Sequence, residues 1–429
     1  MLVNKQKQNT VLILTIAAIY LVLMASICFM SVGNYSLRAV SFVLILAFSV
    51  FMPSDKLPVI IALLFPLTEI VRISDGSRTI LPFIIIIYII KSLSFKNTKT
   101  TTLIFFFIPY VIFVLLNTIS SYINFGSFIN PLVTCTFVLF AYIFASQKKD
   151  DELNACIAFV FVISSLITAV SAVLFKDLSI EISGISVYNT RVAGFSSPWN
   201  FGLCMVLAWF FIAMLFKQKR IGYIVMLAGS IFFAYFAVES GTRSLLIGMC
   251  IILLHIISTL GKRLMKNRII YISAIAILVP MGIALYYLLI FRPLIDSRGQ
   301  LYDSSRLDLW SYYWDLFTSN PNIMFFGLGC NNLASYAINN SILTAHNVFV
   351  EMIVELGVVG TILFIGIIVF IFRKAQKNPL KNDMMIPILI YCTFMMTQSG
   401  LSTELLYFLF ALACQRYPKV KQQINDQFE

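Results

Sequence analysis

Charged residues are missing from long stretches of this chain, and that absence decides its fold class. Apolar runs of membrane-spanning length follow one another with one large interruption, from about Phe291 to Ala345. A hydrocarbon core of roughly 30 Å needs about 20 apolar residues in a helix. With only 12% charged residues and 39 phenylalanines, the chain lacks the polar surface of a soluble domain. The runs fall at 11–30, 38–52, 57–71, 79–93, 102–123, 128–146, 153–175, 200–216, 221–238, 244–260, 269–291, 346–372, 384–398 and 401–415. They predict an all-α polytopic membrane protein with about 12–14 transmembrane helices and one large outer loop holding a short amphipathic helix. The short runs between 38 and 93 predict tilted, half-inserted or re-entrant segments. The organisation is then 1–291 as N-terminal spans, 292–345 as the large loop, and 346–429 as C-terminal spans and tail.

Lysine and arginine orient the spans. With the N-terminus cytoplasmic, alternation places loops 53–56, 94–101, 147–152, 217–220, 261–268 and 373–383 and the C-terminal tail inside. The inner side then carries 22 of the 31 Lys and Arg residues and the outer side nine. The formal charge of +12 is therefore mostly an insertion signal, and no nucleic-acid partner is expected. No small-x-small cleavage site follows Lys5, Lys7 and their apolar run, so the first span is expected to be retained. Seven of eight cysteines lie in predicted spans and only Cys330 in the large loop, so no structural disulfide is expected.

Eight of the nine outer cations are arginine: Arg38, Arg72, Arg78, Arg191, Arg243, Arg292, Arg298 and Arg306. Lysine would serve topology equally well. Arginine adds a planar fork that grips phosphate oxygens and stays charged in a dry site. The plain alternative for each is a snorkelling or helix-capping cation. Three have company. Arg191 opens "RVAGFSSPWNFG", where Gly194, Ser196 and Ser197 precede a new span. A helix N-terminus beside an arginine suits an anion, although from spacing alone an ordinary loop and cap is the leading reading. Arg243 sits in the tight outer turn "VESGTRSLLIG", where a Glu239–Arg243 pair is the structural alternative.

Arg306 opens the helix predicted for "DSSRLDLWSYYWDLFTSNP", with Asp303 or a serine as N-cap and Asn320-Pro321 as the stop. Leu307, Trp310, Trp314 and Phe317 make a tryptophan-rich stripe suited to the bilayer surface. Arg306, Trp310 and Tyr313 share a face that also suits sugar rings. In "FFGLGCNN", Gly327 and Gly329 predict a turn.

The chain has two histidines. His255 lies well inside a span and reads as a packed core residue. His346 falls where the large loop re-enters the membrane. It is the one imidazole on the outer side, and so the candidate for proton transfer near neutral pH. Asn347, Glu351 and Glu355 follow as a stripe down one helix face. Glu355 then lies about 13 Å below His346, a costly depth for an acid without a partner. Gly357 and Gly360 predict close helix approach just beyond. No metal-ligand spacing, phosphate-binding loop or catalytic-serine signature occurs, so no metal and no cofactor is expected.

"HNVFVEMIVELGVVGTILF" resembles the signature of the O-antigen ligase and O-antigen polymerase superfamily of bacterial envelope glycan transferases. "TRSLL", "SSRLDLWSYYWDLFTSNPNIMFFGLG" and "RVAGFSSPWNFG" are similar to further stretches of that pattern, so the resemblance covers roughly residues 190–365. It implies a glycosyltransferase of the bacterial plasma (inner) membrane with both termini cytoplasmic and the large loop facing outward. The donor would be an undecaprenyl-diphosphate-linked oligosaccharide, with membrane lipid around it. The resemblance also admits a chain-length regulator protein as a partner. His346 would take the proton of an acceptor hydroxyl. Arg191, Arg243 and Arg306 would hold the diphosphate without metal, supported by Asn347, Glu351, Glu239, Trp310 and Tyr313. A polymerase of surface-polysaccharide repeat units is the expectation, on abundance. A ligase acting on the lipid A core is the alternative. A transporter of lipid-linked sugars is the alternative from another class, although transporters usually place their charges near the midplane.

Overall fold

The computed structural model describes residues 2–31, 37–71, 79–93, 102–147, 150–174, 198–240, 242, 244–264, 301–340, 344–375, 383–396 and 403–415. Among them the regular structure is helical throughout. Five helices are long and apolar enough to cross a membrane: Val11–Cys28, Ile104–Phe125, Asp151–Leu174, Trp199–Lys217 and Val348–Arg373. Eight shorter apolar helices accompany them. Together they occupy every predicted run except 269–291, which lies outside the described residues.

The helices fall into two compact units, residues 1–92 with 150–281 and residues 93–149 with 282–429. The first holds α1 (Leu2–Ser31), α2 (Leu37–Phe51), α3 (Leu57–Leu64), α4 (Leu81–Ser92), α7 (Asp151–Leu174), α8 (Pro198–Lys217), α9 (Tyr223–Glu239) and α10 (Leu245–Leu264). Helix α8 is its centre. It is apolar all round, which is the composition of a fully enclosed helix, and its residues 201–215 are buried against α7, α9 and α10.

The region of short runs is broken as expected. Helix α3 passes at Pro66 into a 3-10 turn, Phe65–Ile70, because proline removes a donor and forces the chain off the α-helical path. The Thr168 hydroxyl of α7 donates to the Pro66 carbonyl at 3.0 Å. The Lys91 ammonium reaches the carbonyls of Val50 and Met52. The ends of α2 and α4 therefore lie on one face, as the alternation of spans requires. His255 on α10 is half-buried, its ring 5.9 Å from that of Phe210.

The second unit holds α5 (Ile108–Phe125), α6 (Ile129–Ala145), α11 (Leu301–Ser319), α12 (Pro321–Phe326), α13 (Leu333–Asn339), α14 (Val348–Ala375), α15 (Met385–Met395) and α16 (Glu404–Ala413). Helices α5, α11 and α12 pack on α14, and α6 packs on α16. Helix α11 starts at Leu301, ahead of the Asp303 or serine cap expected from sequence. Asn320-Pro321 ends α11 as predicted and also starts α12. The Asn320 side-chain oxygen accepts from the amides of Asn322 at 3.1 Å and Ile323 at 3.4 Å.

The apolar residues of α11 divide between two faces. Leu307 and Trp314 point outward at 65% and 55% exposure, whereas Tyr313 is fully enclosed. Tyr313 and Phe317 face a core with Ile323, Leu328, Leu333, Ala345 and Val354. The helix is seated on the unit by Tyr313, and Leu307 and Trp314 are left over.

Candidate functional site

The large loop does not stay clear of the helices. After α12 the chain runs through Gly327-Leu328-Gly329-Cys330 and settles against α5 and α14. Helix α14 is broken to receive it: Gly357 has φ 64° and ψ −178°. In a regular helix the carbonyls of Val354 and Glu355 would accept from amides four residues on. Here they accept from Leu328 at 2.9 Å and Gly329 at 2.8 Å. The fit admits glycine alone. A Cβ on Gly327 would strike the Glu355 carbonyl, and one on Gly357 would strike the Gly327 amide and the Phe325 carbonyl. Both glycines also have positive φ, where an L side chain is strained. Gly357 therefore breaks the helix, and it also admits the close helix approach predicted from sequence, that of α12 through Phe325. Gly360 does pack as expected, beside Asn117 of α5.

Polar side chains complete this seat. Asn117, 1% exposed, accepts from the Cys330 amide and thiol, each at 3.1 Å. The Ser120 hydroxyl donates to the Gly327 carbonyl. Asn332 donates to the Ser121 hydroxyl at 2.8 Å and accepts from Asn130 at 3.0 Å. The Glu355 carboxylate accepts from the Asn331 and Leu333 amides, each at 2.8 Å. The acid that looked costly from sequence thus has two backbone donors. Cys330 is 1% exposed, and burial pushes its thiol well above the ordinary range.

His346 stands next to this seat along the chain. The Trp310 indole N–H donates to the Ala345 carbonyl at 2.8 Å. His346 itself turns the backbone with φ 47°, a region that non-glycine residues seldom enter. Asn347 then caps α14: its side-chain oxygen accepts from the amides of Phe349 at 2.9 Å and Val350 at 3.3 Å. Three consecutive residues are thus held, by an indole, a left-handed turn and a cap. The His346 ring is half-buried, with Nε2 3.4 Å from the Thr344 hydroxyl. A proton acceptor pinned in this way at the mouth of a helix can take a proton from a hydroxyl brought to it.

The second unit therefore brings together His346, Asn347, Glu351, Trp310 and Tyr313. Glu351 is buried one turn below Asn347. Tyr313 is enclosed in the core, so its ring is not offered to a sugar, and the Trp310 N–H is committed to Ala345. The backbone of Arg306 lies in α11, one turn before Trp310; its side chain lies outside the described residues. Arg191 and Arg243 also lie outside them, as do Gly194, Ser196 and Ser197. Glu239 ends α9 in the first unit and is half-buried; its pairing with Arg243 falls outside the described residues. Among the described residues no group of three His, Cys, Asp or Glu side chains is placed to hold a metal ion.

Sequence reasoning missed the α5 side of this seat. The available signal was a polar stripe, Asn117, Ser120, Ser121 and Asn124, at helical spacing within an apolar run. Such residues in a span face protein rather than lipid.

Residues 203–365 match the protein-family model described as O-antigen ligase. That stretch contains α8 from its sixth residue, α9–α13, His346 and the break in α14, and it leaves out Asn117. No curated protein matches the chain.

Proposed function

We infer that this chain, which carries an O-antigen ligase family domain over residues 203–365, moves a glycan from a lipid diphosphate to a hydroxyl at the outer face of the bacterial plasma membrane. Members of the family are enzymes that transfer lipid-linked glycans, and the chain is a multi-pass membrane protein. The finer reading is a polymerase that joins undecaprenyl-diphosphate-linked repeat units. The observation that carries the proposal is the backbone geometry at Ala345-His346-Asn347, which fixes one imidazole where the large loop meets α14.

In the proposed reaction the acceptor hydroxyl oxygen attacks the anomeric carbon of the donor sugar. Its bond to the diphosphate oxygen breaks, and the lipid diphosphate leaves with the bonding pair. His346 takes the hydroxyl proton. Arg306, with Arg191 and Arg243, meets the charge growing on the leaving group. A preorganised cation in a dry site stabilises that charge more than water does. The N-terminus and C-terminal tail lie inside and residues 292–345 outside, as the lysine bias argues.

The test is purified protein in liposomes with lipid-diphosphate-linked repeat units as donor and acceptor. Longer lipid-linked glycans and free lipid diphosphate are the expected products, in the presence of EDTA as in its absence. No product from active preparations would overturn the polymerase reading. Transfer only when lipid A core is added would establish the second reading, the ligase, which the description of the matching family favours.

A further inference from the structure

The break in α14 leaves one buried acid with a task outside the chemistry so far described. We propose that Glu355 is a positioning residue: its carboxylate locks residues 327–333 into the break of α14, and through the core beneath them fixes the backbone that carries His346. The role rests on the transferase reading above.

Every link in this path is a contact of the second unit. The two carboxylate oxygens each accept one backbone amide, Asn331 on one side and Leu333 on the other. The carbonyl of the same residue accepts from Gly329. One residue thus makes three hydrogen bonds, to alternate positions of the stretch 329–333. Leu333, held by its amide, sends its side chain into the core that also contains Tyr313, Ala345 and Val354. On the far side of that core Trp310, three residues before Tyr313, donates to Ala345, and His346 follows. Both side-chain oxygens are engaged, one by each amide, in a place that water does not reach. A buried group that loses such a partner keeps its full desolvation penalty. Glutamine at this position could accept from only one of the two amides, because its NH2 group would face the other amide donor to donor.

Cys330 reports on the lock independently of catalysis. It lies between Gly329 and Asn331, both held by Glu355, and is itself buried against Asn117. The experiment uses the full chain with the other seven cysteines replaced by alanine, reconstituted in liposomes, with a membrane-impermeant maleimide as probe. Without a further substitution Cys330 should resist labelling. In Glu355→Gln it should label roughly tenfold faster or more, as the loss of one buried hydrogen bond implies. Per monodisperse molecule, kcat should fall about 10- to 100-fold, the scale of a catalytic group displaced by an ångström. KM for the lipid-linked donor should stay within about twofold, because the diphosphate is held by other residues.

A protected Cys330 in Glu355→Gln would overturn the proposal. So would rapid labelling with unchanged kcat, or a loss confined to KM. If Glu355→Gln does not remain monodisperse, Trp310→Phe carries the test, since it removes the indole donor of the last link and keeps an aromatic ring at that position. The expected result is a fall in kcat with Cys330 still protected, and an unchanged kcat would overturn the path. Absence of transfer by the unsubstituted chain would sink the transferase reading and the positioning role together, while the labelling arm still decides whether Glu355 holds the loop.

Discussion

At the scale of single residues, the two histidines are the sharpest comparison the chain offers. Both are half-buried, but His255 lies against Phe210 within α10, whereas His346 sits in a left-handed turn between a pinned carbonyl and a helix cap. An unfavourable backbone conformation of this kind persists only where the surroundings enforce it. His346→Ala should therefore lower glycan transfer by about 100- to 10,000-fold, the usual contribution of a general base, and leave the purified protein monodisperse. His255→Ala should retain transfer. Full activity of His346→Ala with lipid-linked donor would remove the proton-transfer role. The arginines make a separate case. A bidentate fork cannot be replaced by a point charge, so Lys variants of at least two of Arg191, Arg243 and Arg306 should lose about 100-fold in kcat, as loss of one preorganised donor does. Near-normal transfer by all three Lys variants would reduce these arginines to topology signals.

At the scale of elements, the helices were legible from sequence and the break in α14 was not. Apolar run length identifies a span because lipid leaves the backbone no alternative, and every predicted run in the described residues is helical. Gly357 was visible, but a glycine in an apolar run reads as close helix packing. Only the partner segment, thirty residues earlier in the chain, reveals that its φ must be positive. The stripe on α11 is divided for a related reason: Leu307 and Trp314 stay exposed while Phe317 is buried. Leu307, Trp310, Trp314 and Phe317 and the true inward face around Tyr313 are both spaced at three to four residues, and only the core decides between them. Gly357→Ala should lower stability by about 2 kcal/mol or more, from the left-handed penalty and the collision with residues 325–327. Its melting temperature in detergent should fall. Gly366→Ala, in the same helix with open space around the new Cβ, should not lower it. Equal melting temperatures would mean that α14 can close over the break without loss.

At the scale of the whole molecule, orientation comes before every functional argument. The lysine bias places 292–345 outside, so a single cysteine introduced there should react with an impermeant thiol reagent in intact spheroplasts, and one in 261–268 should not. The reverse pattern would put His346 on the side where lipid-linked repeats are made and would end the transfer proposal. With the orientation settled, the surface glycan of a deletion strain separates the remaining readings. A polymerase needs only lipid-linked repeats, as both donor and acceptor, and its product stays on the carrier until another enzyme moves it. A ligase needs a lipid A core and accepts a glycan of any length. Loss of a polymerase therefore leaves core carrying a single repeat, because ligation of one unit continues. Loss of a ligase leaves bare core, with finished polymer held on the lipid diphosphate. Loss of a transporter traps single repeats on the cytoplasmic leaflet. The single-repeat glycan is the expected outcome here, read as band length on a gel of extracted lipopolysaccharide. Bare core with carrier-bound polymer would transfer the same residues, His346 and its held backbone included, to the ligase reaction, since the imidazole acts on the acceptor hydroxyl whichever molecule bears it.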